Sequence, residues 1–378
     1  MKDAPALDPI ASVSVRASNG WVCEFFWKRG NSPVQFTTLK QSGTYMIEDA
    51  RVLRDDFIPA EVVHRDAEIQ HLSRVLSPLT DGEPAETLIV TGPSGAGKTC
   101  LTQFTVDRLK QEVLDLHVHY VNCWQNYSRF RVLYRILEGL GKTVDIHRQS
   151  TPHDELIERL QTHNESHSVV ILDEADQLQD TAILYDLHQL RNVSMILIAN
   201  REQELLAQVD DRLTSRLVGS ERLGFNRYAD DELIDILEKR AERGLEPGSI
   251  ATRQLKQIVE ASNGDARAAI GILRNAARKA QYNSVGRITD EIVDSSIPDA
   301  REEMHQQNVD RLTPDQRAVY EIIEQEGSVT PSELYQQYSS QVDDPKTDRT
   351  VRNYLSKMVQ YNLITAEGSS HDRMYKIA

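Results

Sequence analysis

The run Gly92-Pro93-Ser94-Gly95-Ala96-Gly97-Lys98-Thr99 fits the pattern G-x-x-x-x-G-K-T. That spacing makes a phosphate cradle: glycines let the backbone turn so tightly that successive N–H groups point inward at an anion. A helix starting near Gly97 adds its positive end, Lys98 can reach the β- and γ-phosphates of a nucleotide, and the Thr99 hydroxyl can ligate Mg²⁺. The apolar stretch Leu88–Thr91 before the loop and an amphipathic helix after it supply the context that such a loop needs. The ATP-binding set therefore starts with Gly92 through Thr99 and includes the neighbouring Cys100.

A second group of acids follows. Val169-Val170-Ile171-Leu172-Asp173-Glu174 reads as a buried strand that carries Asp173 to its end, where it can hold Mg²⁺. Glu174 is then placed to orient and deprotonate an attacking water. Asn200 ends the next strand, Met195–Ala199, and its amide could position water near the γ-phosphate. Arg212 and Arg216 flank Ser215, where an arginine can reach a γ-phosphate, usually that of a neighbouring subunit. Each has a plainer reading: Asn200 as a strand-end turn residue, the two arginines as solvated side chains on a helix.

Strands and helices must alternate to hold these groups, and between Leu88 and Phe225 they do. The expected strands are Leu88–Thr91, His117–Asn122, Val169–Leu172, Met195–Ala199 and Glu221–Phe225, the pattern of a parallel sheet with helices on both faces. Helices are expected over His64–Leu76, Arg129–Leu137 and Asp154–Leu160. From Ala229 the pattern is all-helical: Asp230–Arg243, Ala251–Ser262 and Ala266–Tyr282. The expected organisation is an N-terminal extension, 1–45; a nucleotide-binding domain, 46–226; a helical lid, 227–295; a charged linker, 296–312, for which a helix is an open alternative; and a C-terminal domain, 313–378. In 1–45, Ser12–Arg16 and Trp21–Phe26 alternate like strands, while the rest is rich in Gly, Ser, Thr and Pro.

The last block reads as a winged helix-turn-helix. Helix one covers Pro314–Gln325. Thr330-Pro331-Ser332-Glu333 combines N-cap, N1 proline and capping box, and starts helix two. Helix three covers Asp348–Tyr361, with Val351, Tyr354, Leu355, Met358 and Val359 expected inside. Arg349, Arg352, Asn353 and Lys357 are left outside as donors for phosphates and base edges, as a recognition helix requires. Leu363–Ala366 and Arg373–Ile377 pair as a hairpin whose Arg373 adds positive charge to the wing.

Composition bounds the rest. The 378 residues are too many for one compact core, and 39% hydrophobic with 27% charged residues is ordinary for a soluble globular chain. No apolar run approaches the ~20 residues of a membrane span, and Met1–Ile10 has no signal-peptide core, so a cytoplasmic protein is expected. Cys23, Cys100 and Cys123 show no metal-ligand spacing and read as buried hydrophobes in a reducing compartment. The net charge of −15 confines any nucleic-acid binding to local patches. Basic residues that are mostly arginine beside abundant acids fit either a high-salt cell or a GC-rich genome.

The ordered series of P-loop, Asp173-Glu174-Ala175-Asp176, Asn200, Ser215-Arg216 and Gly264-Asp265-Ala266-Arg267 resembles an AAA+ ATPase of the archaeal origin-recognition and cell-division-control initiator family. Phe57-Ile58-Pro59, His64-Arg65-Asp66, Tyr120-Val121-Asn122-Cys123 and the C-terminal winged helix extend the resemblance over Met46–Ala378. The composition would suit a halophilic member.

This resemblance implies that Asn200 is sensor 1, that Arg267 senses the γ-phosphate from the lid, and that Arg216, or alternatively Arg212, is the arginine finger. It further implies an adenine pocket along Pro59–Arg65, including Pro59, Val63 and Arg65, with Tyr228 beside it. It assigns DNA contact to an extra helix bearing Arg129 and Arg131. Its partners would be double-stranded origin DNA, the replicative helicase and other initiator subunits; its cofactors ATP and Mg²⁺; its location the nucleoid. Hydrolysis would be slow and act as a switch. Residues 1–45 depart from the family pattern, as an accessory arm or an upstream start codon. An AAA+ branch-migration helicase and a nucleotide-gated transcription regulator are the alternative functions.

Overall fold

The computed structural model describes residues 11–16, 22–27, 46–147, 151–163, 166–368 and 373–378. The chain forms two compact units, 1–45 and 46–378. In the first, β1 (Ala11–Arg16) pairs antiparallel with β2 (Val22–Trp27), Ala11 opposite Trp27. The polar remainder of 1–45 and the tip of the expected wing turn, 369–372, lie outside the described residues.

In the second unit, β3 (Leu88–Thr91), β4 (His117–Asn122), β5 (Ser168–Asp173), β6 (Val193–Ala199) and β7 (Glu221–Gly224) form one parallel sheet in the order β4-β5-β6-β3-β7. Both faces are covered over the middle of the sheet, so the central strands β5, β6 and β3 are almost wholly buried, while the edge strands β4 and β7 keep polar, exposed positions. Along β5, Val169 and Ile171 join one core while Val170 and Leu172 join the opposite one, the period of two that pleating imposes. The first core lies under helices Asp66–Leu76 and Lys98–Glu112; the second lies under Arg129–Gly139, His153–His163 and Ala182–Gln189. The helix expected from His64 starts at Asp66, because His64 has a φ of 60° that no right-handed helix accepts.

The lid packs helices Asp230–Gly244, Thr252–Ser262 and Ala266–Tyr282 with the first half of a 21-residue helix, Asp290–Asp310. The segment 296–312, expected as a linker, is mostly this helix. Its charged, polar sequence reads as a linker, yet Val293 and Ala300 pack into the lid and Val309 into the C-terminal module. The stretch before the sheet also belongs to the lid: Met46 and Leu53 sit in its core. Arg240 donates to Val52 O at 2.5 Å and to Phe57 O at 3.1 Å, and Arg274 pairs with Asp55 at 2.6 Å.

The C-terminal module is a winged helix-turn-helix: helices Pro314–Glu326, Pro331–Gln341 and Asp348–Gln360, then β8 (Ile364–Glu367) antiparallel to β9 (Met374–Ile377). Thr330 caps the second helix with Glu333 returning the bond. Trp124, from the loop after β4, inserts into the hydrophobic cluster of this module.

Candidate nucleotide site

The register of the sheet brings the site together. Thr91 lies beside Ala199 and Asn122 beside Asp173, so the P-loop, the β5 acids and Asn200 leave the sheet at one edge. This is where strand order reverses and ligands bind in open α/β sheets. Gly92, Gly95 and Gly97 all have positive φ, at 147°, 71° and 90°. A side chain at Gly95 would overlap the Asp265 carboxylate, and one at Gly97 would meet the Tyr228 hydroxyl at 2.5 Å. The lid is therefore pressed directly onto the phosphate loop.

A cavity of about 370 Å³ opens between loop and lid. Of the expected ATP-binding residues, Ser94 through Cys100, Pro59, Val63, Tyr228 and Arg267 line it. Gly92 and Pro93 stand behind, their carbonyls accepting from Lys98 Nζ at 2.6 and 2.9 Å. Arg65 also stands behind, a correction to the sequence reading. It is buried, stacks 4.1 Å over the Tyr228 ring, and bonds Glu68 at 2.8 Å and Asn226 O at 2.9 Å. A buried guanidinium needs such partners, and two of them, Asn226 O and the Tyr228 ring, come from far along the chain. Cys100 is only half-buried on the cavity wall, whereas Cys123 is buried as expected; the side chain of Cys23 lies outside the described residues.

Lys98 is the charge centre. It is buried, and burial pushes its ammonium down to about 8, opposed by the nearby Asp173 carboxylate. Its third bond is to Asn200 Oδ1 at 3.2 Å. Asp173 Oδ2 accepts from the Thr99 hydroxyl at 2.8 Å and the Tyr120 hydroxyl at 2.7 Å. Glu174, held at a φ of 56°, turns into the cavity. Burial, reinforced by the Asp173 charge, raises its carboxyl to about 7, and its Oε2 has no protein partner.

Arg212 and Arg216 lie elsewhere. Both are exposed on the helix Asp211–Leu217, capped by Asp210, and Arg216 stacks 4.6 Å over Tyr185. Neither lines this chain's cavity. Among the lining residues that sequence reasoning left out are Tyr120, Arg311 and Tyr361. Tyr120 was legible as a strand residue two positions before Asn122; nothing local marks the other two.

The expected DNA-contact residues divide. On the helix Asp348–Gln360, Arg349, Arg352, Asn353 and Ser356 form an exposed stripe, opposite buried Val351, Tyr354, Leu355 and Met358. Val359 is only half-buried. Arg352 lies 3.2 Å from the Tyr335 hydroxyl, and Arg373 is exposed beside the wing. Two residues depart from expectation. Lys357 faces the nucleotide domain, donates to Gln177 O at 3.3 Å, and is pushed down to about 8 by burial. Arg129 is held by Asp186 in a two-pronged pair of 2.5 and 2.8 Å. Helical spacing shows which residues share a face but not what packs there. Arg131 remains exposed, bonding Gln125 O at 2.9 Å.

A phosphate loop on a parallel sheet, acids on the adjoining strand and a helical lid over the cavity define an AAA+ ATPase, here with a winged helix attached. Residues 82–207 match the AAA domain family and residues 234–297 the Cdc6 AAA+ ATPase-type lid domain. The chain is 56% identical over 333 residues to ORC1-type DNA replication protein 9 of Halobacterium salinarum, covering 88% of this chain and 94% of that relative. It belongs to the ORC1-type DNA replication protein family. The solved structure of the Aeropyrum pernix ORC1 protein in complex with DNA shares the fold with a TM-score of 0.69 and 24% identity, covering 88% of this chain and 94% of that one. The Aeropyrum pernix ORC2 protein, solved as ADPNP–ADP complexes, does so with a TM-score of 0.59 and 21% identity over 88% and 94%. Among the described residues no helix is long and apolar enough to cross a membrane.

Proposed function

We propose that this chain is an ATP-switched replication initiator that binds duplex origin repeats through its winged helix and helps load the replicative helicase alongside other initiator subunits. ATP occupies the cavity between P-loop and lid. Lys98 leaves its carbonyl partners for the β- and γ-phosphates, and Arg267 approaches the γ-phosphate from the lid. Thr99 and Asp173 fit Mg²⁺: a hydroxyl and a carboxylate already converge, and this ion takes one or two protein ligands and completes its shell from substrate phosphates and water. Bound there, it would neutralise charge developing on the phosphates. Glu174 is the base for the attacking water and Asn200 its second anchor. Arg216, or Arg212, serves the cavity of a neighbouring copy, which its exposure away from its own cavity suits. Turnover is slow and resets the switch.

The observation that carries the DNA reading is the exposed stripe of Arg349, Arg352, Asn353 and Ser356 on a helix whose opposite face, Val351, Tyr354, Leu355 and Met358, is buried. In the major groove, Arg352 and Asn353 read bases while Arg349 and Arg373 hold phosphates. Arg131 adds a phosphate contact from the nucleotide domain; Lys357 and Arg129 drop out of the set. The Aeropyrum pernix ORC1 protein is solved in complex with DNA, which supports the DNA reading. The test measures binding to a cognate repeat and to random duplex across salt. Arg352→Ala should cost about 1–3 kcal/mol on the repeat alone, while Arg373→Ala should weaken both and lower the salt slope by about one. Equal losses on both duplexes for Arg352→Ala would place base reading elsewhere. In the ATPase arm, Glu174→Gln should bind ATP without turnover; wild-type hydrolysis would remove Glu174 from its role.

A further inference from the structure

One wall of the cavity comes from residues that belong to no nucleotide motif. Arg311 closes the long helix Asp290–Asp310, Tyr361 closes the helix Asp348–Gln360, and both line the cavity beside Glu174, Asn200 and Arg267. Tyr361 is buried, its ring edge-on to Trp124 with 4.0 Å between centroids. Its hydroxyl accepts from Asn200 Nδ2 at 3.2 Å, and its carbonyl accepts from Asn308 Nδ2 at 3.3 Å. The other end of the Asn200 amide accepts from Lys98. A continuous chain thus runs from the P-loop lysine through Asn200 to the C-terminal module. The module is held in this place by Trp124 in its core, by Lys357 on Gln177 O, and by Gln360 on Glu204 at 3.3 Å.

We propose that the winged-helix module is part of the ATP site, with Tyr361 as a positioning residue for the Asn200 amide and Arg311 as a γ-phosphate-binding arginine supplied by the same chain.

This rests on the reading of the cavity as an ATP site. An asparagine amide turns freely about its terminal torsion unless both ends are held. Once Lys98 engages phosphate, the Tyr361 hydroxyl is the partner left to fix which way Asn200 points. Burial binds the pair together, because either group left unpaired there is costly. Arg311 cannot shed its charge, and its guanidinium is suited to phosphate oxygens. It stands close enough to Glu174 for the two charges to interact, and the base for the attacking water must face the phosphate that ATP has and ADP lacks. Because Arg311 leads directly into the first helix of the winged domain, any grip on that phosphate is also a grip on the module. ATP affinity and DNA affinity are then linked in both directions.

The experiment measures ATP and ADP dissociation constants, kcat and KM for the full chain and for Tyr361→Phe, Arg311→Ala, Arg311→Lys and Lys98→Ala. Tyr361→Phe, which removes one oxygen and leaves the Asn200 amide without that partner, should lower kcat about tenfold while both dissociation constants stay within error and the melting temperature falls by no more than about a few degrees. Arg311→Ala should weaken ATP about tenfold and leave ADP unchanged, with Arg311→Lys recovering part of the loss. Wild-type kcat in Tyr361→Phe removes Tyr361 from the site. Equal effects of Arg311→Ala on ATP and ADP, or none, remove Arg311. Both results together overturn the proposal. Lys98→Ala separates the levels: if it still binds ATP, the cavity itself has been misread; if it does not, failure of the other variants counts against this inference alone.

Discussion

Replacing Trp124 by alanine removes the side chain on which the winged helix is docked. Trp124 is 2% exposed, lies in the hydrophobic cluster of the C-terminal module and stacks edge-on against Tyr361. A buried Trp→Ala change costs about 3–5 kcal/mol, of which the ring pair accounts for about 0.5–1.5. Part of this is offset, because the indole Nε1 has no protein partner and its removal relieves a penalty of about 1 kcal/mol, the low end for a neutral donor. The net expectation is about 2–4 kcal/mol. It should fall on the junction between the nucleotide domain and the module, so trypsin cleavage around Arg311, in the connection that this docking holds in place, reports it. Where opening and closing are faster than cleavage, the rate follows the open population, and 2–4 kcal/mol becomes roughly 30- to 800-fold faster cutting. Trp124→Phe keeps a ring and loses the unpaired N–H, so it should stay within about tenfold of the native rate. If Trp124→Ala were cleaved within about threefold of the native chain and melted at the same temperature, the docking argument would be refuted.

Two further perturbations probe the nucleotide domain. Gly95→Ala puts a Cβ into the Asp265 carboxylate at a φ of 71°. It should cost about 2–4 kcal/mol from left-handed strain and loss of the Asp265 cap on the lid helix. In a double-mutant cycle by denaturant unfolding, Asp265→Ala should then add almost nothing; full additivity would show that the two do not compete. His119 is buried with Nε2 unpartnered, and burial pushes its imidazole down to about 4, helped by His117 and Lys110. The unfolded chain therefore binds a proton below about 6.5 that the folded chain refuses, and the stability present above that pH is lost as pH falls from 6.5 towards 4. At pH 5 the loss is about 2 kcal/mol. His119→Leu should narrow the drop in unfolding free energy between pH 7 and pH 5 by about that amount; parallel curves would exclude His119 as its source.

The sequence by itself determined everything that depends on near neighbours in the chain. Gly92–Thr99 must make a phosphate loop, because three positive-φ glycines and a lysine at that spacing leave few other conformations. The apolar run before Asp173 must be a strand buried on two faces. Thr330-Pro331 and Glu333 must begin a helix, since cap, fixed φ and returning bond are all local. Tertiary structure decided which face of a helix meets what. Lys357 and Arg352 share a helix and looked alike as exposed cations; packing turned one onto Gln177 and left the other in solvent. Arg129 and Arg65 became structural because Asp186 and Asn226 O, both distant in sequence, converged on them, the latter beside the local partner Glu68. Arg311 and Tyr361 reached the nucleotide cavity from the far end of the chain, more than a hundred residues from Asn200. No periodicity or motif reports such an approach, because it is set by how two domains dock through Trp124, a contact between segments whose local sequences are independent of one another.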